Sequence, residues 1–228
     1  MANYLRYVLA IAGKDLRAEL RSKEMFSAMT IFALLVAVVF SFAFDANAAT
    51  LQEVFPGVIW VAFFFAGTLG LNRSFVNERQ NSAIHGLMLA PADRSVIYFG
   101  KVLGNMAVIT ITEAIGLPVF LVLFDVSAGP RPALLVLSIV LATLGFIAIG
   151  TFLSALAANT RTGEILLPII LFPVAVPVVL GAVQTTGAVL LTEGVDLPRF
   201  YQWLRVLAVY DVVFLVVPFL LFDYVLEV

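Results

Sequence analysis

The chain has 228 residues, 62% of them hydrophobic and 12% charged, with a mean hydropathy of +1.08. Soluble domains carry about 25% charged residues, so water is not the main solvent of this molecule. A net charge of -2 gives no electrostatic basis for holding nucleic acid, and the absence of cysteine excludes disulfides, thiolate metal sites and thiol nucleophiles.

The fold class expected is all-α, a polytopic membrane protein with six transmembrane helices, because a bilayer core of about 30 Å needs roughly 20 apolar helical residues. Residues 1–24 come first and are amphipathic. Leu5, Leu9, Ala12, Leu16 and Leu20 recur at helical steps, while Lys14, Arg17 and Arg21 follow the same spacing on another face. The pattern predicts an interfacial helix on the membrane surface, and it fits equally a helix packed on a soluble partner.

The first span is 25–44, which contains no ionisable residue. Ala46-Asn47-Ala48 after it has the look of a signal-peptide cleavage site. However, an h-region runs about 7–15 residues, and the leader here contains Asp15, Glu19 and Glu24, so the run reads as a retained span. The second span is 54–72, entered through Pro56-Gly57. The third, 102–124, is interrupted only by Glu113. The fourth, 133–157, lies within the uncharged run from Pro132 to Thr160. The fifth, 165–184, carries Pro168, Pro173 and Pro177, each of which removes a helix hydrogen bond and permits a bend. The stretch Thr185 to Gln202 is expected to hold a short interfacial helix on the outer side. The sixth span, 203–224, surrounds Asp211.

Loop charge sets the orientation. Arg6, Lys14, Arg17, Arg21, Lys23, Arg73, Arg79, Arg94, Lys101 and Arg161 fall on one side, against Arg131, Arg199 and Arg205 on the other. This asymmetry places both termini in the cytoplasm.

Between the second and third spans lies 74–95, too polar to span and too patterned for a linker. A helix is expected from Ser74 to Ala90, with Phe75, Ala83, Ile84 and Leu87 apolar and Glu78, Arg79 and Gln80 polar. Pro91 ends it, and Asp93-Arg94-Ser95 caps the next helix. Pattern alone fits either a docking segment or a solvated surface helix.

Two carboxylates fall inside spans. Glu113 is costly at mid-depth and must face a cavity or a helix partner, with Thr110, Thr112 or an adjacent helix as candidates to satisfy it. Asp211, in the first half of the sixth span, is expected near the outer interface and solvated there. No paired catalytic carboxylates, metal-ligand cluster or nucleophile-base set appears, which argues against an enzyme. No P-loop occurs in these residues either, so any ATP must be bound by another subunit. A secondary transporter built on inverted repeats finds no internal repeat in its favour.

The order Phe75, Glu78, Arg79, Gly86-Leu87, Pro91, Asp93-Arg94 and Gly100-Lys101 resembles the cytoplasmic coupling segment of the ABC-2 type permease superfamily. Within it, the string Phe55-Pro56-Gly57-Val58-Ile59-Trp60-Val61-Ala62 and Gly86-Leu87-Met88-Leu89-Ala90-Pro91 resemble the B subunit of the haem exporter of cytochrome c maturation, the CcmB family. Thr143-Leu144-Gly145-Phe146, the turn at Arg161-Thr162-Gly163 and the prolines from Pro168 to Pro177 fit the same family, so the resemblance covers essentially the whole chain.

The resemblance implies a permease subunit in a bacterial inner membrane, paired as a homodimer since six spans are too few to enclose a pathway alone. Its partners would be an ATP-binding subunit, haem-handling maturation proteins and a periplasmic haem chaperone. ATPase coupling would fall to Phe75, Glu78, Arg79, Gly86, Leu87, Pro91, Asp93 and Arg94, with Arg161 as a secondary contact. Haem is expected on partner subunits, because the lone His85 is placed in the cytoplasm with no second histidine, and Met29 and Met106 read as packing residues. A generic ABC-2 permease for lipid, polysaccharide or drug would share the coupling segment and differ mainly in the Trp60 string.

Overall fold

The computed structural model describes residues 2–44, 48–80, 93–158, 163–191 and 194–225. Among them every regular element is a helix: α1 (Ala2–Ser22), α2 (Glu24–Ala43), α3 (Ala48–Gln80), α4 (Ser95–Leu123), α5 (Pro132–Ala158), α6 (Gly163–Leu190) and α7 (Leu197–Val225). Helices α2 to α7 are each long and apolar enough to cross a membrane. A multi-pass membrane protein follows, since helices close their backbone hydrogen bonds internally.

The helices outrun the apolar stretches that mark them. α3 has 33 residues, about 50 Å at 1.5 Å per residue, and so begins before Val54 and continues past Asn72 to Gln80. α4 starts at Ser95, at the expected cap and ahead of the apolar span from Val102, and α7 starts at Leu197 rather than at Trp203. A hydropathy window registers the hydrocarbon layer, whereas a helix ends only where its terminal groups find caps. The short outer helix expected within Thr185 to Gln202 does not form among the described residues, because α6 carries on to Leu190. Its polar residues are satisfied in place. Thr185 Oγ1 donates back to the Gly181 carbonyl at 2.9 Å, and Thr186 Oγ1 accepts from Trp60 Nε1 at 2.9 Å.

Successive spans alternate in direction. At one end, Arg73 Nη1 of α3 meets Glu24 Oε2 of α2 at 3.3 Å, and Tyr98 and Phe99 of α4 touch Phe222 and Phe219 of α7. At the other, Ser41 Oγ donates to the Leu123 carbonyl at 3.3 Å, Gln52 Nε2 to the Asp125 carbonyl at 2.9 Å, and Arg199 Nε to Gln184 Oε1 at 2.9 Å.

α1 lies at the first end and is separated from α2 by Lys23, whose φ of 55° is the left-handed region that stops a helix. Glu19 Oε1 reaches across this break to accept the Phe26 amide at 2.8 Å, capping α2 from the preceding helix. Two faces of α1 are in use. Val8, Ile11 and Asp15 turn toward α4, where Gly100 and Gly104 let the backbones approach. Leu5, Leu9 and Leu20 remain mostly exposed, the stripe suited to the acyl boundary.

α5 is the central helix and packs against α3, α4, α6 and α7. At Gly150 a Cβ would strike Leu71 Cδ1, beside the bond from Ser154 Oγ to the Leu71 carbonyl at 2.7 Å. Gly150→Ala is therefore expected to lower stability by about 1–3 kcal/mol through overpacking. Gly13→Ala, whose Cβ meets nothing within 4 Å, leaves stability unchanged or raises it by up to about 1 kcal/mol from helix propensity. Thermal unfolding in mild detergent reads both.

Candidate coupling base and intramembrane carboxylates

The coupling residues named from the sequence fall into three groups. Gly86, Leu87, Pro91 and Arg161 lie outside the described residues, as does His85. Phe75, Glu78 and Arg79 sit on the C-terminal turns of α3, a straight continuation of the second span rather than a separate surface helix. Asp93 and Arg94 stand immediately before α4, where Asp93 Oδ1 accepts the Ser95 amide at 2.8 Å. The expected cap is thus present.

Bonds from the Ser95 side chain and amide hold the Asp93 carboxyl below the usual carboxylate range. A depressed folded value means that the cap contributes stability above the unfolded pKa and loses it as pH falls through the folded one.

The base of this segment is tied down by a knot of polar contacts. Lys101 Nζ pairs with Asp15 Oδ2 at 2.8 Å and donates to the Ser74 carbonyl at 3.2 Å. Its side chain is 3% exposed against 20% for Asp15. Tyr4 Oη and Ser95 Oγ are hydrogen-bonded at 2.9 Å. One buried lysine thus joins α1, the exit of α3 and the start of α4. The charge count used Lys101 only for orientation. The spacing Gly100-x-x-x-Gly104 beside it, which marks a close helix contact, was the available sign that α1 docks here.

Deeper in the bundle, α4 and α5 share a polar ladder. Tyr98 shares its hydroxyl proton between the Ala148 carbonyl at 3.1 Å and the Phe214 carbonyl at 3.0 Å. The second acceptor has a specific origin: Pro218 lacks the amide that would otherwise bond Phe214 within α7. Asn105 Nδ2 donates to Thr151 Oγ1 at 3.1 Å, and Thr143 Oγ1 donates to Glu113 Oε1 at 2.7 Å. The adjacent helix thus supplies a donor to one oxygen of Glu113, while Thr112 bonds back to the Val108 carbonyl.

Glu113 is 4% exposed, and its Oε2 has no partner among the described residues. It borders a cavity of ≈ 10 Å³ together with Trp60, Phe64 and Phe146. That is room for about one water.

Asp211 corrects the expectation of a solvated acid near the outer interface. It is 4% exposed, and neither carboxylate oxygen has a partner among the described residues. The reason is helix length. With α7 beginning at Leu197, Asp211 lies about 20 Å along a 29-residue helix, near its middle. It is packed against Gly145 of α5, where a Cβ would collide with Oδ1. Thr143 and Gly145 point about 200° apart on α5 at 100° per residue, so the two acids flank this helix from opposite sides.

Two measurements follow. Lys101→Met should cost about 1–3 kcal/mol, less than a fully buried pair because Asp15 keeps Lys14 at 3.2 Å, and the double variant with Asp15→Leu should recover most of it. Faster proteolysis within α1 of the single variant checks the docking. Gly145→Ala should destabilise by about 1–3 kcal/mol, and combining it with Asp211→Ala should show a coupling of about 0.5–3 kcal/mol in a thermal double-mutant cycle.

Comparison with known proteins places this architecture. The family model described as "CcmB protein" matches residues 6–225. A protein of Paracoccus denitrificans named haem exporter protein B is 29% identical over 168 residues, covering 74% of this chain and 77% of its own. Its namesake in Rhodobacter capsulatus is 27% identical over 189 residues, covering 82% and 83%. That of Escherichia coli K12 is 27% identical over 189 residues, covering 80% and 82%. With the family pattern running from α1 to the last turn of α7, this chain belongs to the CcmB family.

Proposed function

We propose that this chain is the permease subunit of an ABC-type complex of cytochrome c biogenesis, in which a separate ATP-binding subunit drives haem export or release of a haem-loaded periplasmic chaperone. The observation that carries the reading is the family match along nearly the whole chain, among relatives that each bear the name haem exporter protein B. The membrane is the bacterial inner membrane, with α1 and both termini on the cytoplasmic side, a placement that the loop charges favour. Two copies of the chain line one pathway.

The knot around Lys101 supports a coupling role for 74–95. Its entry at Ser74 and its exit at Ser95 are fastened to the same helix, α1, through Lys101, Asp15 and Tyr4. An ATPase that grips Glu78, Arg79 and the residues leading to Asp93 therefore moves α3, α4 and α1 as one unit. α4 passes that movement to α5 through the Tyr98, Asn105 and Glu113 contacts. Haem is cargo held by partner subunits, and ATP is bound and hydrolysed in the partner.

Solubilising the chain from its native host in mild detergent, followed by mass spectrometry of what accompanies it, tests the reading. An ATP-binding subunit with haem-handling maturation proteins is the expected result. An ATPase without them would favour an ABC-2 permease for another substrate, and repeated recovery with no ATPase would overturn the ABC assignment. Glu78→Arg reverses a charge at the proposed contact, and should reduce ATPase recovery about tenfold or more while the chain still reaches the membrane. Haem-stained c-type cytochromes should fall in parallel.

A further inference from the structure

At the end opposite α1, an open groove of ≈ 430 Å³ runs between the ends of α2, α3, α6 and α7. That volume falls within the range of about 300–1,000 Å³ for small-ligand sites. Its rim carries two formal charges, Glu53 on the second turn of α3 and Arg199 on the first turn of α7. Among the described residues these two are not paired with each other. The Arg199 guanidinium donates to the neutral amide oxygen of Gln184 through Nε and Nη2, and Glu53 has no ion-pair partner there.

Below the rim the lining turns apolar, with Phe40, Val54, Val58 and Val61, while Leu191 borders it just past the end of α6. From Glu53 to Val61 the descent is about 12 Å along α3. The floor is kept open by backbone rather than by side chain. A Cβ at Gly57 would meet nothing within 4 Å, and one at Gly187 would stand in ordinary contact with Pro56 Cγ, at 3.8 Å. The Pro56-Gly57 pair that opens the Trp60 string is therefore the floor of a cleft, while Phe55 and Trp60 on the same helix face inward.

We propose that this groove is a binding site for one zwitterionic phospholipid of the outer-facing leaflet, with its phosphate on Arg199, its ammonium on Glu53 and an acyl chain along Val54, Val58 and Val61. Charge complementarity selects the occupant. One cation and one anion across an apolar cleft match a phosphoethanolamine head group, whereas an anionic lipid or a dicarboxylate cargo would gain Arg199 and be repelled by Glu53. The depth fits as well, because the charged rim lies at the helix ends where head groups sit and the apolar part descends toward the hydrocarbon. The site stands on the membrane placement of the bundle and is independent of the haem reading.

Native mass spectrometry of the full chain, with any subunits that accompany it, released from nanodiscs of equimolar phosphatidylethanolamine and phosphatidylglycerol tests this. One phosphatidylethanolamine should be retained at several-fold excess over phosphatidylglycerol. Glu53→Gln, which keeps the shape, should erase that preference. Arg199→Ala should reduce retention of both lipids, and Gly57→Phe should abolish it by filling the floor. Equal retention of the two lipids by the unmodified chain would overturn the proposal, as would retention unchanged in Glu53→Gln. Displacement of phosphatidylethanolamine by added haem, dependent on Arg199 and undiminished by Glu53, would reassign the groove to an anionic cargo.

Discussion

The bundle depends on the polar contacts carried by α5, a helix that looks almost wholly apolar in sequence. Inside a bilayer, burying a methyl against another helix gains little over burying it in lipid, so helix association rests on close packing and on hydrogen bonds between spans. α5 supplies both. Thr143, Ala148, Thr151 and Ser154 bond to groups on α4 or α3, while Gly145 and Gly150 let α7 and α3 approach closely. Each such bond is worth about 0.6 kcal/mol on average in membranes, so the specificity comes from their number and placement rather than from any one.

The two buried carboxylates follow from this arrangement. Glu113 and Asp211 come from different helices and meet α5 within three residues of each other, at Thr143 and Gly145. A hydroxyl meets one acid and a missing side chain accommodates the other. The short string Thr143-Leu144-Gly145-Phe146 thus has a physical content at each of its ends and at its glycine, since Phe146 in turn fills the space left by Gly67, at 2.5 Å from where a Cβ would stand. Among the described residues three oxygens of the two acids lack protein partners, so this layer holds most of the unsatisfied buried side-chain oxygens.

Hydropathy made the number and order of the spans legible, because each holds an uncharged run as long as the hydrocarbon is thick. Helix ends were less legible. Arg73 falls outside the apolar run of the second span and yet continues α3, since a helix leaving the membrane keeps its backbone bonded at no further cost. Asp211 was misplaced for this reason alone: counting from Trp203 put it near the surface, and counting from Leu197 puts it in the middle. The docking of α1 was half legible. Its exposed leucines were read as its only apolar face, whereas the face made by Val8, Ile11 and Asp15 is recognisable only beside Gly100 and Gly104.

Prolines show how the chain uses what a sequence reader counts as damage. Pro218 deprives the Phe214 carbonyl of its helical donor, and Tyr98 from another helix supplies the missing proton. In water a stray molecule of solvent could have done so, and the interaction would have carried no structural information. In lipid the vacancy must be met from within the protein, so a helix breaker on α7 becomes a specific contact to α4 and α5. Tyr210 fastens α7 to α6 by a comparable bond, its hydroxyl donating to the Val174 carbonyl at 3.1 Å between Pro173 and Pro177, although Val178, four residues on, keeps its own amide. A bundle fastened at such points keeps neighbouring helices in register through its tyrosines even where prolines interrupt the helical hydrogen bonds.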